Sequence, residues 1–312
     1  MWRPGKEQER MALESLHTTR QDRVSHSLVG PRLAGAAFVA ASAVGFGALG
    51  IFGKVAFASG ASTAVVLFLR FLVAGVLMAA LMPVLRLSWP RGRDFWILVG
   101  MGAIGYVGQA FCYFTSLRYA SAGLTALLLY LYPALVTLAS AALGRQRLTP
   151  LKVAAVAASL VGILLTVADG LTGSLSGIAF GAGAAVIYTG YILVGEQVSR
   201  RTGAIPAATV IMLAAATVYG CAVIWQGPHW PTGLAGWGAV VGIALFSTVV
   251  AMVGFFAGMQ RLGAADAATL STLEPVVTLV LAALILGESL GGVQLAGAAL
   301  VLGAVVALAR AK

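Results

Sequence analysis

From residue 33 to near the C-terminus the chain is a succession of apolar stretches, each about 20 residues long, parted by short linkers. An α-helix rises about 1.5 Å per residue, so each stretch matches the roughly 30 Å hydrocarbon thickness of a bilayer. The spans fall at 33–55, 62–84, 95–115, 122–143, 150–168, 175–196, 206–226, 237–259, 266–286 and 291–309. Transmembrane strands would alternate apolar and polar residues over segments of about 10. These runs are continuous and rich in Ala, Leu, Val and Gly, which excludes a barrel. With 60% hydrophobic and only 10% charged residues, a chain of 312 residues lacks the polar surface of a soluble domain. The fold class expected is therefore all-α: a polytopic membrane protein with ten transmembrane helices.

Residues 1–32 are polar and charged without sustained periodicity, and read as a flexible cytoplasmic tail. Met11 is an alternative start to Met1. "ASA" at 41–43 mimics a signal-peptidase site, but it lies inside a span too long for a signal h-region, so an uncleaved first helix is expected. Cys112 and Cys221 both fall within apolar spans and read as small buried hydrophobes rather than a disulfide.

The net charge of +10 is a matter of sidedness. With the N-terminus placed in the cytoplasm, 17 Lys and Arg fall on the inner side and Arg118 alone on the outer, leaving Lys54 and Arg70 within spans. That asymmetry obeys the positive-inside rule and supports ten crossings with both termini inside. It also makes nucleic-acid binding the poorer reading of the basic charge.

The chain also repeats itself. Pro133 and Pro275 lie 142 residues apart, and sliding by that offset pairs Phe114 with Phe256, Gly53 with Gly195 and Gly100 with Gly242 without a gap. Two copies result, 33–168 and 175–309. Five helices per copy is an odd number, so the second copy must enter from the opposite face. Inverted repeats of this kind are a mark of secondary transporters, in which the halves exchange inward-open and outward-open shapes around one central site.

The residues that carry this pattern also resemble a known family. "TLEPVVTLVLAALILGESLGGVQLAGAALVLGAVV" at 272–306, its echo "TALLLYLYPALVTLASAALGRQRLTPLKVAAVAASLVGILL" in the first half, and "FGKVAFASGASTAVVLFLRF" near the start are similar to the EamA-type ten-helix branch of the drug/metabolite transporter superfamily. The resemblance implies export of small metabolites, amino acids or related compounds across a bacterial inner membrane. Family members often carry Trp-Gly in the first helix, where this chain reads Gly45-Phe46-Gly47.

Charge inside the bilayer marks the candidate site. Lys54, Arg70 and Glu274 alone lie clearly within spans, and each costs about 2.5–3.5 kcal/mol at a helix centre unless compensated. Glu274 is placed about eight residues into the ninth span, directly before Pro275; its repeat partner Tyr132 directly precedes Pro133. Each proline removes a backbone donor and disturbs the carbonyl four residues earlier, at Leu129 and Ser271. Such freed groups survive in a bilayer only against protein or a water-filled cavity. Two symmetry-related irregular points facing one cavity are therefore expected, with Pro133 and Pro275 shaping gating helices. Glu274 would serve proton or cation coupling, or recognition of a substrate amine; a kink with Glu274 bonded for packing alone is the alternative.

Arg70 is expected to pair with an acid or a substrate carboxylate, and Lys54 to snorkel to the outer surface. Glu288 is a candidate mate for either. Gln109 sits with Tyr106 and Tyr113 on one helix face, and Tyr130, Tyr132, Tyr188 and Tyr191 complete a candidate cavity wall, a packed polar seam being the alternative. The two G-x-G-x-x-G strings, Gly45–Gly50 and Gly100–Gly105, lie in apolar spans and read as faces for close helix packing. His17, His26 and His229 fall outside the spans, so neither a metal site nor a cofactor is expected, and no Walker, HExxH or GxSxG string occurs. The partners expected are a small-molecule substrate, the lipid and a proton. One chain suffices to enclose a path. The main rival class is a membrane enzyme acting on lipid or lipid-linked substrates, and a second is a non-transporting membrane scaffold.

Overall fold

The computed structural model describes residues 33–144, 148–168, 173–262, 270–271, 273–289 and 291–310. The N-terminal tail lies outside them. Apart from an isolated bridge between Ala120 and Gly173, the described chain is helical. Ten apolar helices follow in order: α1 (Leu33–Ala58), α2 (Thr63–Val84), α3 (Gly92–Tyr119), α4 (Ala122–Ala142), α5 (Pro150–Ala168), α6 (Leu175–Thr202), α7 (Ala204–Gln226), α8 (Gly233–Met259), α9 (Leu273–Leu286) and α10 (Gly292–Arg310). Seven of the ten are long and apolar enough to cross a bilayer by themselves; α5, α9 and α10 have shorter apolar helical stretches.

Most ends lie within four residues of the sequence boundaries. Three differences have physical causes. The third helix starts at Gly92, whose positive φ of 60° turns the chain into it. The seventh starts two residues early, because Pro206 sits in its first turn, where a missing N–H costs nothing. The fourth is not continuous: it runs Ala122–Leu129, breaks at Tyr130 and Leu131, and resumes at Tyr132 with Pro133 in its first turn.

The packing partners exchange between repeats as a two-fold relation requires. Helix α2 packs on its mate α7, α4 on α9 and α5 on α10, while α1 contacts α8 and α9 as α6 contacts α3 and α4. Small residues let these axes close. A Cβ on Gly162 of α5 would stand 2.7 Å from the Gly297 carbonyl of α10, so only glycine permits that approach. The chief core joins α1, α2, α3, α7 and α8 around Phe71, Phe114, Met78, Met212 and Ile243, all fully buried.

The two ends of the bundle differ. At the arginine-poor end the loops are laced together. Thr232 donates to the Ser59 carbonyl, the Ser62 N–H to the His229 carbonyl, and the Ser174 N–H to the Tyr119 carbonyl. Lys54 donates to the Ala120 carbonyl at 2.6 Å, while both Glu288 oxygens accept from the first N–H groups of α4, at Ala122 (2.7 Å) and Gly123 (3.2 Å). The half-buried Lys54 thus reaches the loop at this end and places its ammonium on a backbone carbonyl there; it and Glu288 tie α1 and α9 to the start of α4. At the arginine-rich end a recess of about 830 Å³ opens among Arg91, Arg93, Asp94, Leu143, Gly190 and Arg201, with Arg201 paired to Asp94 at 2.8 Å.

Candidate functional site

A cavity of about 130 Å³ lies where six helices meet. Helix α1 contributes Phe46 and Leu49, α2 Arg70, and α3 Tyr106, Gln109, Ala110 and Tyr113. The break in α4 contributes Leu129, Tyr130 and Tyr132, α6 contributes Tyr188, and α9 Glu274.

The backbone breaks build one wall. Pro275 cannot donate to the Ser271 carbonyl, and that oxygen accepts instead from the Glu274 N–H (3.0 Å) and from the Tyr130 hydroxyl of the other repeat (3.1 Å). Ser271 itself adopts a turn, so Glu274 stands at the start of a helix segment rather than eight residues inside a continuous one. The proposed start of that span at 266 lies outside the described residues. Tyr130 also lies 2.9 Å from Glu274 Oε2. On the other side of α9, Thr278 donates to the Gly47 carbonyl (2.9 Å), and a Cβ on Gly47 would come within 2.8 Å of the Glu274 carbonyl. Glycine at 47 thus sets how close α1 comes to the acidic residue.

Two π-helical segments build the opposite wall. They span Met101–Tyr106 in α3 and Leu245–Val250 in α8, near-equivalent places in the two repeats. A π-turn inserts one extra residue and re-aims the side chains around it, which is why such turns collect at functional sites. Here Tyr106 and Thr248, partners under the 142-residue offset, both face Arg70. Its Nε donates to Thr248 Oγ1 at 3.1 Å, and its Nη2 lies 3.5 Å from the Tyr106 hydroxyl. Arg70 is 5% exposed, with Phe71 and Phe114 ring centres 5.2 and 5.7 Å from its guanidinium. Among the described residues no carboxylate pairs with it, and Glu288 is engaged at the far end of α9.

The remaining wall is aromatic. Tyr106 stacks on Tyr191 (5.6 Å, 26°), Tyr191 on Tyr188 (5.8 Å, 18°), and Tyr132 meets Tyr188 edge-on (4.9 Å, 73°) with Tyr130 6.0 Å from Tyr132. The structure therefore brings Glu274, Arg70, Gln109, Tyr130, Tyr132 and Tyr188 to one cavity, with Pro133 and Pro275 beside its breaks. It sets Tyr191 behind the wall as a stacking support. Sequence reading missed Thr248 and Leu49, noted Leu129 only for its backbone carbonyl, and noted Phe46 only as a departure from the family's Trp. The repeat offset held the signal for two of these, because it pairs Thr248 with Tyr106 and Phe46 with Tyr188. Among the described residues no cluster of metal-binding side chains occurs.

Comparison with known proteins follows the same lines. The EamA-like transporter family matches twice, over residues 33–168 and 175–310. An uncharacterized transporter, YcbK, of Bacillus subtilis is 28% identical over 85% of this chain and 89% of its own length. The aromatic amino acid exporter YddG of Ancylobacter novellus is 30% identical over 86% of this chain and 96% of its own. A solved crystal structure superposes with a TM-score of 0.62 at 25% identity, covering 87% of this chain and 98% of the other.

Proposed function

The chain belongs to the EamA-like transporter family, and from that premise we propose that it exports amino acids or closely related small metabolites across a bacterial inner membrane by alternating access. The family is one of transporters, which sets aside the membrane-enzyme alternative. The observation that carries the proposal is the mid-depth cavity shared by both repeats. A buried acid, a buried guanidinium and a tyrosine wall converge there from six helices. The relative whose name states an aromatic amino acid as cargo is consistent with such a wall. Sidedness follows from charge: the arginine-rich face is cytoplasmic, with both termini on it.

Glu274 is the residue for coupling. The Tyr130 hydroxyl has one hydrogen and two acceptors, the Ser271 carbonyl and Glu274 Oε2. Both contacts are fully satisfied only when Glu274 carries a proton and donates it to Tyr130. A carboxyl that gains a bond on protonation and faces a solute cavity is suited to exchange a proton for cargo. One chain encloses the cavity, so a monomer suffices.

Counterflow in proteoliposomes tests this with a panel of amino acids and metabolites, with and without a pH gradient. The expected result is movement of one or more amino acids, speeded by the gradient. A panel that stays in place under both conditions, with protein shown to be folded and inserted, would refute the reading.

A further inference from the structure

We infer that the Arg70 guanidinium, held by Tyr106 and Thr248, is the receptor for a carboxylate of the cargo, so that the cavity takes zwitterionic α-amino acids oriented between Arg70 and Glu274. This inference rests on the transport reading above and deepens it.

Arginine presents five N–H donors in a planar fork. The protein uses this fork sparingly. Nε meets Thr248 Oγ1, Nη2 reaches the Tyr106 hydroxyl only at the outer limit of a bond, and aromatic rings cover the guanidinium. Every one of these partners is neutral. A 5%-exposed cation at membrane depth with no anion beside it among the described residues is costly, and a residue that served packing alone would be cheaper as an apolar side chain. The same position in the second repeat shows that alternative, for Met212 stands there fully buried.

The fork is also pre-aimed. Thr248 donates its own hydrogen to the Ile243 carbonyl (2.8 Å), which leaves its oxygen free only to accept from Arg70. That contact fixes the Nε edge and leaves donors bordering the cavity. A carboxylate accepts two parallel N–H bonds from such a fork. Glu274 lines the same cavity without an ion pair among the described residues, and is the counterpart for an α-ammonium group. By the rule that one water needs roughly 10–15 Å³, about 130 Å³ holds about ten water-sized groups, the scale of a free amino acid. Its side chain then lies on Tyr132, Tyr188 and Phe46.

The test uses the full chain purified and reconstituted, with three probes of one shape: L-phenylalanine, 3-phenylpropionate, which lacks the amine, and phenethylamine, which lacks the carboxylate. Affinity is read by thermal protection and by competition in counterflow. In the unaltered protein, removing the carboxylate should weaken binding about 10- to 100-fold, the range for a charge-assisted contact. In Arg70→Gln that penalty should disappear, while the penalty for removing the amine persists. Thr248→Val should lower it about three- to tenfold and serves if Arg70→Gln does not fold. A structural anchor would change melting temperature without changing the ranking of the probes. The inference is overturned if phenethylamine equals phenylalanine in the unaltered protein, or if folded Arg70→Gln keeps the carboxylate preference. Amino-acid counterflow with either result leaves the transport reading standing. Arg70-dependent carboxylate binding without counterflow supports the receptor and overturns transport, and neither binding nor counterflow overturns both.

Discussion

In the first repeat the residue before the cavity proline is Tyr132; in the second it is Glu274. Arg70 of the first corresponds to Met212 of the second, and Gly47 to Thr189. Against these differences stand likenesses of backbone: each repeat interrupts its fourth helix just before the proline and carries a π-helical segment in its third. The irregular geometry is duplicated and the charge is not. The alternating access proposed above accounts for the division, because each half would bend in its turn, while a single cargo would need one anion receptor and one acid.

Erasing the charge difference at the paired prolines should have the largest effect. Glu274→Gln keeps shape and a hydrogen for Tyr130 but can no longer release a proton. Gradient-driven transport in vesicles should fall at least about 100-fold, and melting temperature should shift by no more than a few degrees, since the Tyr130 contact survives. Transport that keeps both rate and gradient dependence would place coupling elsewhere.

The glycine difference comes next. A methyl at 47 meets the Glu274 carbonyl and Val277 Cβ at 2.8 Å, with backbone on one side that cannot turn away. Gly47→Ala should cost about 1–3 kcal/mol by overpacking, read as lost thermal stability. Thr189, its repeat partner, already bears a side chain, whose hydroxyl donates to Ala185 of its own helix. Thr189→Ala should cost under about 1 kcal/mol. Equal losses would mean that the α1–α9 and α6–α4 contacts are alike after all.

Much of this is legible in the amino-acid sequence alone. Span length and the offset between Pro133 and Pro275 lead to ten helices in two copies, because lipid permits few alternatives to continuous helices. Proline also locates the freed carbonyl at Ser271. The partner of that carbonyl is not legible: nothing local to Tyr130 says that its hydroxyl reaches across to the other repeat. The π-segments are silent too, since "MGAIGY" and "LFSTVV" read as ordinary apolar helix. Their register depends on what packs around them. The meeting of Lys54 and Glu288 is only half legible, for a related reason. Glu288 reads as a candidate mate and Lys54 as a charge bound for the outer surface, but nothing local says that the start of α4 lies between them.

That pair supplies the smallest and most local test of the comparison. Under the repeat offset Glu288 corresponds to Gln146 and Lys54 to Glu196, so the Lys-Glu combination at the arginine-poor end is not repeated in the sequence. Glu288 binds two N–H groups at the start of α4 with both oxygens, where the helix dipole adds to the attraction. In the proposed alternating access, opening this end would part α9 from α4 and break those bonds. Glu288→Gln installs the first repeat's residue, retains one acceptor and removes the charge, at a cost of about 0.5–2 kcal/mol to the closed arrangement. By mass action that shifts a closed-to-open ratio about two- to thirtyfold. The shift is measurable as faster labelling of Leu49→Cys from the arginine-poor side, in a background of Cys112→Ala and Cys221→Ala. An unchanged labelling rate would make Glu288 a helix cap without a part in gating, and the closure of that end would then belong to the loop bonds around Ser59 and Thr232.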